Sequence, residues 1–398
     1  MKSESAAVPT TSLTAFTVWF MAVAAALGTA SMYPLQPAVS PIADALHASL
    51  PAVGASLAWG PVGYLLGLAL LVPLIDQYRP RRVLSIQFAA LGAALALNAA
   101  VTTLWGFAIL AVVVGAGSAV GAQLSSAAGR LADQRRRATV LGIVTAGISA
   151  GIIIGRILGG YLADQIGWRP MLIVFATACF IIASVTRYVL PDVSASSTTG
   201  YLETLRGLPG LYRKHAVLRL AGCRGALWFF AFCALWAGLA VALSLPPYSY
   251  SPERIGGYAI AGLSGIFATR IAGHWTDRVG ARPVVLAGLV VAAAAALALA
   301  ALLPITPLAF ACLALFDAGL FAAQVANQST VLAINPSAPA QFNSAYMVVY
   351  FIGGSLGTAC GAAAASATGW PMTAIAAAAT ICGAAVLTAV TRSLARHC

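Results

Sequence analysis

Arg156, in GIIIGRILGG over residues 151–160, and Asp317, in LALFDAGLFAAQ, are charged side chains set inside apolar runs of this 398-residue chain. An arginine keeps its charge at every accessible pH, and placing it at the centre of a membrane helix costs about 2.5 to 3.5 kcal/mol on insertion scales. Three things can offset that cost. The side chain can reach toward the outer end of its helix, roughly 10 Å away along the helical rise. It can pair with an acidic residue, or it can bind a substrate bearing a carboxylate, a phosphate or several acceptor oxygens. A carboxyl group in a low-dielectric cavity holds or releases its proton according to the charges that face it. Asp317 therefore has the chemistry of a proton-coupling site, and its other reading is a neutral, hydrogen-bonded structural aspartate. Every other Asp or Glu sits in or beside a loop.

Other polar groups accompany these two inside apolar runs. They are Tyr33 and Gln36 in MYPLQP, Gln123, Gln324, Asn327 and Gln328, then Asn343, Tyr346 and Tyr350. Buried amides need hydrogen-bond partners, so each is either a substrate contact or a bond between helices. Trp228, Phe232 and Trp236 share one helix face by their spacing of four, forming either an aromatic wall for an organic ligand or a lipid-facing stripe. Catalysis has no such foothold. The two lysines, Lys2 and Lys214, lie outside any phosphate-binding loop, and no intramembrane histidine or serine motif offers a nucleophile with its base. The seven cysteines form no CxxC pair and the four histidines are scattered, so neither a metal nor another cofactor is expected.

The elements that must hold these residues are membrane helices. Hydrophobic residues make up 61% of the chain and charged ones only 8%, and the mean hydropathy is +0.91; soluble domains carry about a quarter charged residues. Twelve apolar spans are expected, at 12–38, 50–75, 82–102, 105–130, 138–163, 168–190, 218–245, 254–275, 282–303, 306–332, 341–366 and 369–391. The first has no cleavage site and reads as a helix that stays. Basic residues such as Arg79, Arg81, Arg82, Arg130, Arg187, Arg219, Arg278 and Arg282 fall at span ends on the side of the termini, against mainly Arg169 and Arg254 on the other. By the positive-inside rule both termini are cytoplasmic, in a multi-pass protein of the cytoplasmic membrane. The net charge of +12 thus reports topology and argues against nucleic acid as a partner.

The chain repeats itself. Asp277 follows Asp76 by 277 − 76 = 201 positions, Trp370 follows Trp168 by 202, and Gln324 follows Gln123 by 201. The polar stretch 191–217 then reads as a linker between an N-terminal six-helix bundle, 1–190, and a C-terminal one, 218–398. Two similar bundles that rock about a midplane site are what alternating access requires. With these landmarks the sequence resembles the major facilitator superfamily, from about Thr11 to the C-terminus. The superfamily's loop signature GxxxDRxGRR is nearly complete as Gly273, Asp277, Arg278, Gly280 and Arg282, and survives in the first half as Asp76 with Arg79, Arg81 and Arg82. The resemblance implies a cytoplasmic gate there, made of Asp76, Arg79, Arg82, Gly273, Asp277, Arg278 and Arg282. Val72 and Arg79 depart from the pattern by replacing its two glycines.

In the fifth span Gly147, Gly151, Gly155 and Gly159 recur every fourth residue, a face on which helices approach closely. The run resembles the GxxxGPxxGG motif of the superfamily's drug and proton antiporters, with Arg156 where they carry proline. Their RxxxG in the fourth helix is missing, since Ala111 precedes Gly115. The resemblance implies an all-α transporter that moves a small organic molecule by alternating access. Its leading expectation is efflux of a drug or metabolite driven by the proton gradient, and its alternative is uptake or exchange of an organic anion bound by Arg156. Such a carrier works between its own halves and is expected to function as a monomer.

Overall fold

The computed structural model describes residues 13–133, 136–191, 210–335 and 339–391, and their regular structure is helical throughout. Twelve helices carry the fold: α1 Ala15–Ala30, α2 Leu50–Leu70, α3 Pro80–Ala99, α4 Leu104–Leu131, α5 Arg137–Ile166 and α6 Trp168–Val189 in the first half. In the second they are α7 Ala216–Ser244, α8 Pro252–Val279, α9 Ala281–Leu302, α10 Thr306–Leu332, α11 Pro339–Ala367 and α12 Trp370–Val390. Among the described residues, eleven of these are long and apolar enough to cross a membrane, and α1 is a shorter apolar helix. Most of the linker, residues 192–209, lies outside the described residues.

The first expected span, 12–38, is corrected. Its helix stops at Ala30, and residues 31–38 run through successive turns into a short helix, Val39–Ala45. Pro34 and Pro37 lack the backbone donors a continued helix would need. The second span also ends early, at Leu70, before turns around Pro73 and a short helix Leu74–Gln77. At their starts, α1, α2 and α4 are capped by Thr14, Ser49 and Thr103, whose hydroxyls accept from backbone N–H groups three residues on.

Close backbone packing ties each half together. A methyl group at Gly147, Gly151 or Gly155 would strike the backbone of Ala22, Ala26 or Ala30 of α1, and one at Gly159 would strike Pro34. The second half repeats the device: Gly353, Gly357 and Gly361 of α11 lie against the carbonyls of Ala226, Phe230 and Ala234 of α7. The offset is again 353 − 151 = 202. Gly167 and Gly369, also 202 apart, both adopt positive φ, +89° and +82°, at the turns before Trp168 and Trp370. A side chain is strained in that conformation, which explains the glycine in both halves. Arg169, basic on the side with few charges, donates at 2.7 Å to both Ala99 and Val101 carbonyls and so closes the end of α3.

The halves meet at the end remote from the termini. There Gly160 of α5 packs on Pro252 and Gly256 of α8, Gly54 of α2 meets Ala362 of α11, and Gln165 donates to Glu253 at 3.4 Å. Nearer the middle, the rings of Tyr64 and Phe351 lie 4.8 Å apart. At the other end the last turns of α8 stand exposed, including Arg270, His274, Asp277 and Arg278. Among the described residues, these contacts between the halves gather at the end away from the termini.

Candidate substrate site

The turns that end α1 put Gln36 across from α5, and Gln36 Oε1 accepts from Arg156 Nε at 2.9 Å. Three rings close round the guanidinium: its carbon lies 4.4 Å from the Trp236 ring centre, 5.1 Å from Tyr33 and 5.9 Å from Phe232. Cation–π contacts of this kind contribute about 2 kcal/mol when desolvated. Arg156 is only 5% exposed, so it does not extend to the surface. Among the described residues no carboxylate lies at ion-pair distance from it, and its two terminal nitrogens have no protein partner.

Asp317 is 1% exposed, and its Oδ1 accepts from Trp236 Nε1 at 3.1 Å. The indole therefore stands between the two charges, its face to the cation and its N–H to the carboxyl group. Both charged residues line one cavity, with Ser149, Ile152, Ile153, Phe232, Gly262, Ile266 and Phe321. Gly262 ends a 3₁₀ turn, Tyr258–Gly262, within α8, and a Cβ there would sit 3.1 Å from Asp317 Oδ2.

The aromatic wall continues away from Arg156. Phe229 stacks on Tyr350 at 3.9 Å and on Phe232 at 5.9 Å, and Trp228 meets Tyr350 edge-on at 5.0 Å. Trp228, Phe232 and Trp236 are all buried, so this face of α7 does not meet lipid.

The remaining amides lie elsewhere. Tyr346 donates to Gln324 at 2.6 Å, while Asn327 donates to the Ala221 carbonyl at 2.9 Å and to the Tyr346 hydroxyl at 3.3 Å. Gln328 donates to Asn343 at 2.7 Å, and Gln123 donates to the Leu71 carbonyl between α4 and the end of α2. Their bonds run between helices, away from the Arg156 cavity. Tyr346→Phe removes both bonds of the hydroxyl and should lower stability by about 1 to 3 kcal/mol, while leaving ligand affinity at Arg156 unchanged; a thermal melt with a binding titration checks both.

The expected gate is spread out. Asp277 and Arg278 are exposed, and Gly273 has open space about it. Arg282 donates to the Thr388 and Ala389 carbonyls at 3.1 and 2.9 Å, binding α9 to α12 within its own half. Arg79 and Arg82 are exposed near the start of α3, and the Asp76 side chain lies outside the described residues.

Sequence reasoning passed over several residues. Ser149 sits two turns before Arg156 on the same face of α5, a signal readable by spacing. Phe229 is one residue off the expected aromatic face and gains its role from α11. Arg224, inside α7, was assigned no part although a charge there is visible in the sequence; it is half-buried, in electrostatic range of Tyr346, and its Nε is buried without a partner. Among the described residues no three His, Cys, Asp or Glu side chains gather as metal ligands.

Comparison with known proteins agrees with this architecture. The chain is 29% identical over 359 residues to the uncharacterized transporter YgaY of Escherichia coli O157:H7, covering 88% of this chain and 89% of that one. A shorter match, 30% over 148 residues and 36% of each chain, is to the multidrug resistance protein MdtG of Dickeya zeae. Among solved structures, a bacterial homolog of the human lysosomal transporter Spinster, inward-facing and unoccupied, superposes with a TM-score of 0.75. It is 16% identical, over 94% of this chain and 96% of that one, a likeness of fold. The sequence pattern of the Major Facilitator Superfamily matches residues 18–358, and with twelve helices in two repeated halves about a polar cavity, the chain belongs to that superfamily of membrane transporters.

Proposed function

We propose that the chain is a proton-coupled secondary carrier of a small organic molecule bearing an acidic group, which works by alternating access in the cytoplasmic membrane. Arg156 holds the acidic group and Asp317 carries the proton. One observation supports this above the others: a buried arginine with unpaired N–H groups opens onto the same small cavity as the one buried aspartate among the described residues. Leaving a guanidinium desolvated and incompletely bonded is costly, and a bound oxyanion removes that cost. The aromatic groups beside the cavity suit an organic body. The site lies between one protein's own halves, which supports a working monomer.

A second reading concerns the substrate. Export of a neutral or cationic drug in exchange for protons draws support from the partial similarity to a multidrug resistance protein. Flux in proteoliposomes under an imposed pH gradient separates the two, with cationic, neutral and anionic compounds compared. Uptake or release of carboxylates that follows the pH gradient supports the proposal. Flux confined to cations and neutral compounds would sink it and leave drug export.

A further inference from the structure

The cavity holds one permanent cation and one titratable acid, and their arrangement bears on what binds and on how protons are coupled. We infer that the site takes a small monocarboxylate together with one proton, the carboxylate on Arg156 and the proton on Asp317, so that the two bind cooperatively and cross in the same direction. This rests on the proposed acid-binding function and adds to it the charge class of the substrate and the sign of coupling.

Charge balance carries the argument. With Asp317 ionised, the cavity is neutral, one positive and one negative group among Ile152, Ile153, Ile266, Phe232 and Phe321. An entering anion would leave one net negative charge in apolar surroundings, which is costly unless the charge is neutralised. A proton on Asp317 neutralises it. Because coupling between two ligands is reciprocal, the proton favours the anion as much as the anion favours the proton. The other titratable groups around this pair are Tyr33 in the turns after α1 and Cys233 on α7, with Tyr64 on α2 and Tyr350 on α11 beyond them, while α8 faces it with Gly262 and Ile266. Those are phenols and a thiol, which already hold their protons at neutral pH, so Asp317 is the carboxyl group left to take one.

Geometry selects the charge class. Trp236 keeps the guanidinium and the carboxyl group from closing into an ion pair, so the two terminal nitrogens of Arg156 stay available to an oxyanion. On the acid's side, Oδ1 accepts from the indole N–H, and a Cβ at position 262 would come within 3.1 Å of Oδ2, so the glycine leaves that oxygen room for a proton. With the proton on Asp317 the cavity keeps the guanidinium as its fixed charge, which disfavours an ammonium group beside it. Nine residues line the cavity, which suits a small ligand. Exchange of substrate for protons, the expectation carried by the antiporter resemblance, requires the opposite sign, with protons displacing the substrate.

The test is a binding titration on the full-length protein in lipid nanodiscs, read by the fluorescence of the tryptophans beside the site. The probes are straight-chain and aromatic monocarboxylates from acetate to 3-phenylpropionate, with 3-phenylpropionamide and phenylalanine as partners of the last on the same carbon skeleton. Across pH 6 to 8, where the carboxylates stay ionised, the inference expects affinity to rise as pH falls, by up to about tenfold per unit for one linked proton. Calorimetry in two buffers of different ionisation heat should show proton uptake on binding. Asp317→Asn should bind at every pH with the affinity the parent reaches in acid, and the amide and phenylalanine should bind at least tenfold more weakly than the acid. Carboxylate affinity that ignores pH or rises with it overturns the inference and leaves the acid-binding function standing. Preference for phenylalanine overturns the charge class. No carboxylate binding at all, in parent or variant, overturns both.

Discussion

Arg156→Gln is expected to abolish carboxylate binding and transport while the protein still folds. Truncating one partner of a buried, hydrogen-bonded charge pair costs about 2 to 5 kcal/mol, which is roughly 30-fold to several-thousand-fold in affinity. The glutamine is neutral, so it carries none of the desolvation cost that the arginine bears in its apo site. It keeps donors and an acceptor for Gln36, which stands 2.9 Å from the present Nε. Thermal stability should therefore hold within a few degrees, or rise. The measurement is a melt beside a binding titration on the same preparation. Loss of binding with a preserved melt assigns the arginine to the ligand. Loss of the fold with it would mean that the cation holds α1, α5 and α7 together through Gln36 and the three rings, and the substrate role would fall.

The largest structural effect is expected at the glycine stripes. Gly151→Leu puts a side chain where the backbone of Ala26 already stands, and Gly357→Leu does the same against Phe230. A flexible side chain could move aside, but a helix backbone cannot without separating α1 from α5 or α7 from α11. Overpacking costs of 1 to 3 kcal/mol are typical, and contact with backbone should put these variants at or beyond about 3 kcal/mol. Each should fail to give a monodisperse peak on gel filtration after extraction. Gly383→Leu, where nothing lies within 4 Å, serves as the matched control and should behave as the parent does. If Gly151→Leu and Gly357→Leu both extract and transport normally, the close approach of the two helix pairs is not what holds the halves.

How far the site was legible can be judged residue by residue. Arg156 and Asp317 stood out because a charge is conspicuous in an apolar run. Trp236 was named for its spacing on α7, yet nothing in the sequence says that its indole lies between the two charges; that depends on α5, α7 and α10 meeting at one depth. Gln36 was named beside Tyr33, and it reaches Arg156 because the chain leaves helical form after Ala30, where one continuous helix had been expected. Gln123, Gln324 and Asn327 look the same as Gln36 in sequence, and their partners turn out to be backbone carbonyls and Tyr346. An amide is polar wherever it sits, and only its neighbours decide between ligand and scaffold. The second glycine stripe, Gly353 to Gly361, could have been found by adding 202 to the first.

By itself the sequence determined the class of the molecule, its helices and its internal repeat. These follow from local properties: runs of apolar residues long enough for a bilayer, and landmarks recurring at one offset. Only the tertiary structure decided which polar groups share a cavity, that Arg156 and Asp317 face it without touching, and where the halves pack on each other. Those features are made by side chains distant in sequence, brought together by helix packing that depends on backbone carbonyls lying against glycine. Spacing along one helix specifies a face; what that face meets is set by its neighbours.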